Sequence, residues 1–220
     1  MMSYIKHILF DLDGVISDNS DGITNGVACT MRHFNIDVPP KSERLKFIGP
    51  PLQDSFEEYL GLSHEDAKEG VLIYREYYKE HGIFENVMYD GVPELLAKLR
   101  GLGFSLYLAT SKPEEFAKRI LNRFKVDGYF EFIGGATFDG KREKKADVIR
   151  YVMNSCGISP DDAVMVGDRH HDVHGAFECS LPCIGVLYGF GSYEELTSAG
   201  AIGLAETPLD IVRILNEMKE

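Results

Sequence analysis

Lys6-His7-Ile8-Leu9-Phe10-Asp11-Leu12-Asp13-Gly14-Val15 is an apolar run that ends in two carboxylates one residue apart. A short apolar run bounded by a turn signal fits a buried strand. Alternate strand side chains point to opposite faces, so Asp11 and Asp13 project together while Leu12 points away. Gly14 lets the chain turn sharply after them. Two carboxylates at a buried strand end repel each other and are poorly solvated, which calls for a compensating cation or an unusual protonation state. Read alone, the same residues also fit an ordinary Asp-Gly turn with Asp11 exposed at a strand end. The surrounding chain has to decide between the two.

Outward from this strand the pattern changes twice. From residue 16 to 86 the chain is charged and helical, with Ile23, Val27, Met31 and Phe34 at helical spacing. Prolines and a glycine in Phe47-Ile48-Gly49-Pro50-Pro51-Leu52 break it with a stiff loop. Helices are predicted over 53–60 and over 64–80, the latter capped by Ser63. From Tyr89 onward helices alternate with short apolar strands, the pattern of β-α-β units around a parallel sheet. The spacing predicts strands over 104–109, 130–136, 163–167, 182–187 and 201–204. Helices are predicted over 92–100, 113–124, 144–156, 171–178 and 193–199, and a last one from Pro208 capped by Thr207. The expected fold is therefore α/β, a Rossmann-like parallel sheet core over 1–15 and 87–220 with an α-helical cap inserted over 16–86.

The 220 residues, 44% of them hydrophobic, suffice for a real core, and the formal charge of −12 argues against a nucleic-acid or anionic-membrane partner. A small anionic substrate stays compatible, because lysines and a bound metal reverse the local sign. The first ten residues lack the apolar core of a secretory signal and no stretch has the length of a membrane span, so the cytoplasm is the expected location. Cys29, Cys156, Cys179 and Cys183 show no Cys-x-x-Cys spacing and are expected to be free thiols.

Several polar residues fall directly after predicted strands: Asp11 after the first, Thr110 and Ser111 after the second, and Asp168 after Ala163-Val164-Met165-Val166-Gly167. In an open parallel sheet that edge holds the ligand crevice, so these distant positions converge. Their convergence favours a site over the plain turn. Asp168 and Asp172 are four apart and share a face if a helix starts there. Carboxylates suit Mg²⁺, a hard cation commonly held by one or two of them together with substrate phosphate. Asp172 also fits a helix N-terminus on dipole grounds alone and is placed behind the ligands rather than among them. His170 and His171 lack a third nitrogen or sulfur ligand for zinc. Of Lys141, Lys144 and Lys145, which fit a solvated face, Lys145 is the best candidate to reach the crevice.

The ordered set Asp11-Leu12-Asp13-Gly14-Val15, Thr110-Ser111, Lys145 and Gly167-Asp168-x-x-x-Asp172 resembles the haloacid-dehalogenase-like phosphohydrolases, in the branch of phosphoglycolate phosphatases and 5′-nucleotidase-like proteins with a helical cap. The resemblance spans the chain. It implies a phosphatase acting on a small phosphorylated metabolite, with Asp11 as nucleophile and Asp13 as general acid and base. It further implies Thr110, Ser111 and Lys145 on the phosphate, and Mg²⁺ on Asp11, the Asp13 backbone carbonyl and Asp168. Gly49 and Leu52, in a loop similar to a cap loop of related members, are expected to shape substrate choice. Ser111 stands where the family often has asparagine, and Val15 where it often has threonine. The leading expectation is a phosphoglycolate-phosphatase-like enzyme. A 5′-nucleotidase is the runner-up, and a sugar phosphomutase is weaker. A phosphoaspartate receiver switch, the alternative that is not an enzyme, fits less well because a receiver is much shorter and carries its acceptor on a later strand.

Overall fold

In the computed structural model, which describes residues 5–218, the chain divides into two compact units, Met1–Ser17 with Met88–Glu220, and Asp18–Val87. The first unit opens with β1 (His7–Phe10), whose Ile8, Leu9 and Phe10 are fully buried. The chain leaves this unit through β2 (Ser17–Asp18) and re-enters it through β3 (Val87–Met88). These two strands form a ribbon within which the division falls.

The second unit is helical: α1 (Ser20–His33), α2 (Lys41–Arg44), α3 (Leu52–Leu60) and α4 (His64–Glu80). Helix α1 buries Ile23, Val27 and Met31, the face expected from their spacing. Gly26 and Gly70 let the helices approach closely. A Cβ on Gly26 would press on the Tyr74 ring, and one on Gly70 on Thr30 and Phe56. The Thr30 hydroxyl donates across the contact to the Gly70 carbonyl at 3.1 Å. The Ser63 hydroxyl accepts from the Asp66 N–H and caps α4 as anticipated. Pro51 precedes α3, supplying the fixed φ of a helix entry.

Back in the first unit, α5 (Val92–Gly101), β4 (Ser105–Pro113), α6 (Glu114–Phe124), β5 (Phe130–Ala136), α7 (Lys145–Cys156), β6 (Ala163–Gly167), α8 (His170–Glu178), β7 (Cys183–Val186), α9 (Tyr193–Ala199), β8 (Gly203–Ala205) and α10 (Asp210–Glu217) alternate. The six strands order as β5-β4-β1-β6-β7-β8, and every neighbouring pair is parallel. Strand β1 therefore lies at the centre, flanked by β4 and β6, with the strand order reversing on either side of it. Such a reversal opens a crevice at the carboxyl ends of the strands. Leu9, Ala109 and Met165 on the three central strands share one core with Val148, Ile149 and Val152 of α7 and with Val173 of α8.

Strand β4 runs four residues beyond the expected end at Ala109, because Thr110 and Pro113 stay paired to β5 on either side of an irregularity. Helix α10 begins at Asp210 rather than Pro208. Thr207 does not cap it by accepting; its N–H and hydroxyl both donate to Asp210 Oδ2, at 2.8 and 2.9 Å. All four cysteines are free. No described helix is long and apolar enough to cross a membrane.

Candidate active site

Asp11 follows the last residue of β1, and its N–H donates to the Val166 carbonyl of β6 at 2.9 Å, so the sheet ladder fixes its backbone. Its Oδ1 accepts from the Leu12 N–H at 2.7 Å. Its Oδ2 lies 2.9 Å from Lys145 Nζ, and the Thr110 hydroxyl bonds to the same carboxylate. Gly14, at φ 81°, makes the turn, and a Cβ there would overlap the Asp168 carboxylate. Glycine at 14 is therefore required both by backbone conformation and by space.

Lys145, the first residue of α7, is buried. Its ammonium also reaches Asp172 Oδ1 at 2.7 Å and donates to the Ala109 carbonyl at 3.2 Å. Burial alone would lower its pKa, but the two carboxylates overcome that and hold it protonated. Lys144, one residue earlier, is exposed at the start of the helix. Gly175 on α8 gives the Lys145 stem its room, since a Cβ there would stand 2.7 Å from Lys145 Cγ.

Asp168 follows β6, and its Oδ2 accepts from the Phe190 N–H at 2.8 Å. Asp172 lies in the first turn of α8, where its Oδ2 accepts from the Asp168 and Arg169 N–H groups at 3.1 and 3.0 Å. Asp172 thus holds the loop that presents Asp168 and, through Lys145, the orientation of Asp11. Carboxylate oxygens of Asp11, Asp168 and Asp172 come within 4.8 Å of one another. Burial pushes the Asp168 carboxyl well above the ordinary range, reinforced by Asp172 and Asp11; Asp11 is raised for the same first reason, partly offset by Lys145.

Three buried carboxylates against one ammonium leave a formal surplus of two negative charges in a low-dielectric pocket. An all-oxygen donor set with that surplus fits a hard divalent cation such as Mg²⁺. Both oxygens of Asp172 are already engaged, by two amides and by Lys145, so Asp11 and Asp168 are the side chains suited to ligation.

Ser111 is half-buried beside Thr110 on β4. Gly49, at φ 108°, and Leu52, which opens α3, belong to the helical unit. His170 gives its ring to Glu195, with Nδ1 and Oε1 2.6 Å apart. Arg169 Nε reaches the same oxygen at 2.8 Å, and this pairing ties α9 to the start of α8. Burial lowers the His171 pKa to about 4, helped by His170 and Arg169.

Sequence reasoning missed two features. Lys112 is buried, with its ammonium 2.9 Å from Asp13 Oδ2. The loop Gly189-Phe190-Gly191 wraps Asp168 so closely that a Cβ on Gly189 would stand 2.5 Å from Asp168 Cβ and from the Gly14 carbonyl. The glycine pair just beyond a predicted strand end was the available signal for the loop. For Lys112 the signal was a lysine two residues past Thr110.

The haloacid dehalogenase-like hydrolase family model matches residues 8–186. A 5′-nucleotidase of Pseudomonas aeruginosa is 44% identical over 86% of this chain and 86% of its own length. The tyrosine-protein kinase PtkA of Mycobacterium tuberculosis is 38% identical over 91% of this chain and 69% of its own length. The crystal structure of a predicted phosphatase from Clostridium acetobutylicum, 47% identical, aligns with a TM-score of 0.95 over 98% of this chain and 100% of that one. Phosphoglycolate phosphatases match at lower identity, 28% for that of Aquifex aeolicus.

Proposed function

The chain belongs to the haloacid dehalogenase-like hydrolases and is a phosphoric monoester hydrolase, and from that premise we propose that it cleaves a small phosphomonoester with Mg²⁺ through an aspartyl phosphate on Asp11. The observation that carries this reading is the convergence of Asp11, Thr110, Lys145 and Asp168 at one sheet edge, with Lys145 Nζ 2.9 Å from Asp11.

Asp11 attacks phosphorus, and splitting the displacement into two transfers lowers each barrier. Asp13 gives its proton to the departing alcohol and then takes one from the water that hydrolyses the phosphoenzyme. Thr110, Ser111 and Lys145 hold the transferring oxygens, where negative charge is spread in the transition state. Lys145 also keeps Asp11 oriented, being itself fixed by Asp172 and the Ala109 carbonyl. Asp11, Asp168 and the Asp13 backbone carbonyl would hold the Mg²⁺. When bound, the ion supplies the positive charge that lets an anionic phosphate enter a carboxylate-rich pocket.

Among substrates, the 44% identity to a protein named 5′-nucleotidase favours a nucleoside monophosphate over phosphoglycolate. Leaving-group selection is assigned to the helical unit, with Gly49 and Leu52 as its first candidates. The test is phosphate release from p-nitrophenyl phosphate, nucleoside 5′-monophosphates, phosphoglycolate and sugar phosphates, each with Mg²⁺ and with chelator. Mg²⁺-dependent release that disappears in Asp11→Asn is expected. No release on any of them, or transfer to a tyrosine peptide in place of water, would sink the reading; the kinase name of PtkA makes that second assay worth running.

A further inference from the structure

Lys112 has no part in the chemistry described so far, yet it is placed at some structural cost. Only 5% of its side chain is exposed, although lysine is seldom buried without a specific partner. That partner is Asp13, with Nζ and Oδ2 2.9 Å apart. Its backbone is engaged as well, since the Lys112 N–H donates to the Thr110 hydroxyl oxygen at 3.2 Å. The same hydroxyl reaches Asp11.

The backbone here departs from a regular ladder. Thr110 pairs with Gly135 and Pro113 with Ala136, so Ser111 and Lys112 are extra residues on β4 opposite a single step of β5. A bulge of this kind re-aims a side chain at the cost of local pairing. Gly135 makes it possible, because a Cβ there would stand 2.6 Å from the Lys112 carbonyl. Bulge, close-packed glycine and buried ion pair all act on the same residue.

We infer that Lys112 is a positioning residue for the proton-handling step: its ammonium fixes the carboxylate of Asp13, and its N–H sets the hydroxyl of Thr110. This rests on the aspartyl-phosphate reading above. In the first transfer the bond between phosphorus and the leaving oxygen breaks, a phosphorus–oxygen bond to Asp11 forms, and the proton on Asp13 passes to the leaving oxygen. An alkoxide leaving group needs that proton, whereas p-nitrophenolate departs readily without it. A positioning role therefore makes a prediction that depends on the leaving group, which general damage to the fold does not.

The experiment is single-turnover release of the alcohol with Mg²⁺ from a nucleoside 5′-monophosphate and from p-nitrophenyl phosphate. It compares wild type, Lys112→Met and Lys112→Arg. Lys112→Met is expected to lose on the order of 10²-fold on the alkyl ester, the usual scale of general acid catalysis, and less than about threefold on the aryl ester, with KM nearly unchanged. Lys112→Arg, which keeps the cation, is expected to recover most of the loss. If Lys112→Met lacks a cooperative thermal melt, Lys112→Gln carries the same comparison. Equal loss on both esters, or none on either, overturns the inference while leaving the phosphatase reading intact. A wild type that releases no phosphate from either ester overturns that reading as well.

Discussion

At the scale of single residues the pocket is a balance of buried charges, and Lys145 is its keystone. Its ammonium pairs with Asp11 and Asp172 at once. Removing one partner of a buried ion pair typically costs ~3–5 kcal/mol, because the charge left behind is neither solvated nor paired. Lys145→Met should therefore lower stability by about that much in urea unfolding and abolish turnover. Adding Asp172→Asn should recover part of the stability and none of the activity. The convergence of Asp11, Thr110 and Asp168 was legible because each follows a predicted strand, at the edge that holds a parallel sheet's crevice, whereas Lys145, which opens α7, was singled out from its run of lysines and the family resemblance. For Lys112 the one signal, its place two residues past Thr110, did not give its direction. In a regular strand its direction follows from parity, but the bulge between Thr110 and Pro113 sets it, and no spacing rule announces a bulge.

At the scale of elements, β5, β6 and α9 run over the residues expected from their patterns, because short apolar runs or a helical face there end at clear turn residues. The end of β4 and the start of α10 were misplaced because side chain and backbone pairings, absent from hydrophobic periodicity, decide them. The Gly189–Gly191 loop stayed hidden for a related reason: its tie to Asp168 spans 22 residues of chain and is a backbone N–H to carboxylate contact. Helix α8 carries a testable titration. The folded pKa of His171 is about 4, below its ordinary 6.5, so above 6.5 the residue is neutral in both states and costs nothing. As the pH falls from 6.5 toward 4, the unfolded chain binds a proton that the folded chain refuses, and stability drops. Melting temperatures of wild type and His171→Gln should differ in slope over that window, the variant falling less steeply. Parallel curves would mean that His171 is not held neutral.

At the scale of the whole molecule, the first unit gathers three buried carboxylates around one ammonium. Asp11 and Asp168 have raised folded pKa values, so the stability they confer by holding protons is complete below 3.8 and is lost as the pH rises through the raised values. Mg²⁺ should take the place of those protons. We expect Mg²⁺ to raise the melting temperature at pH 7, by ~2.7 kcal/mol of stabilisation at a hundredfold excess over Kd, and to raise it less at pH 5. The effect should reverse with chelator and vanish in Asp168→Asn. An equal shift in that variant would place the ion elsewhere. The fold class was legible from alternation alone. The substrate was not, because the motifs at the strand ends speak to phosphate and carry no signal for the rest of an ester.

The central claim is that phosphorus passes through a covalent bond to Asp11. It is tested most directly by acid-quenching a single turnover of a phosphomonoester carrying radiolabelled phosphorus and mapping the labelled peptide. The account predicts label on the peptide that contains Asp11, appearing before free phosphate and absent in Asp11→Asn. Free phosphate released with no labelled protein at any quench time, or label on a peptide without Asp11, would contradict it.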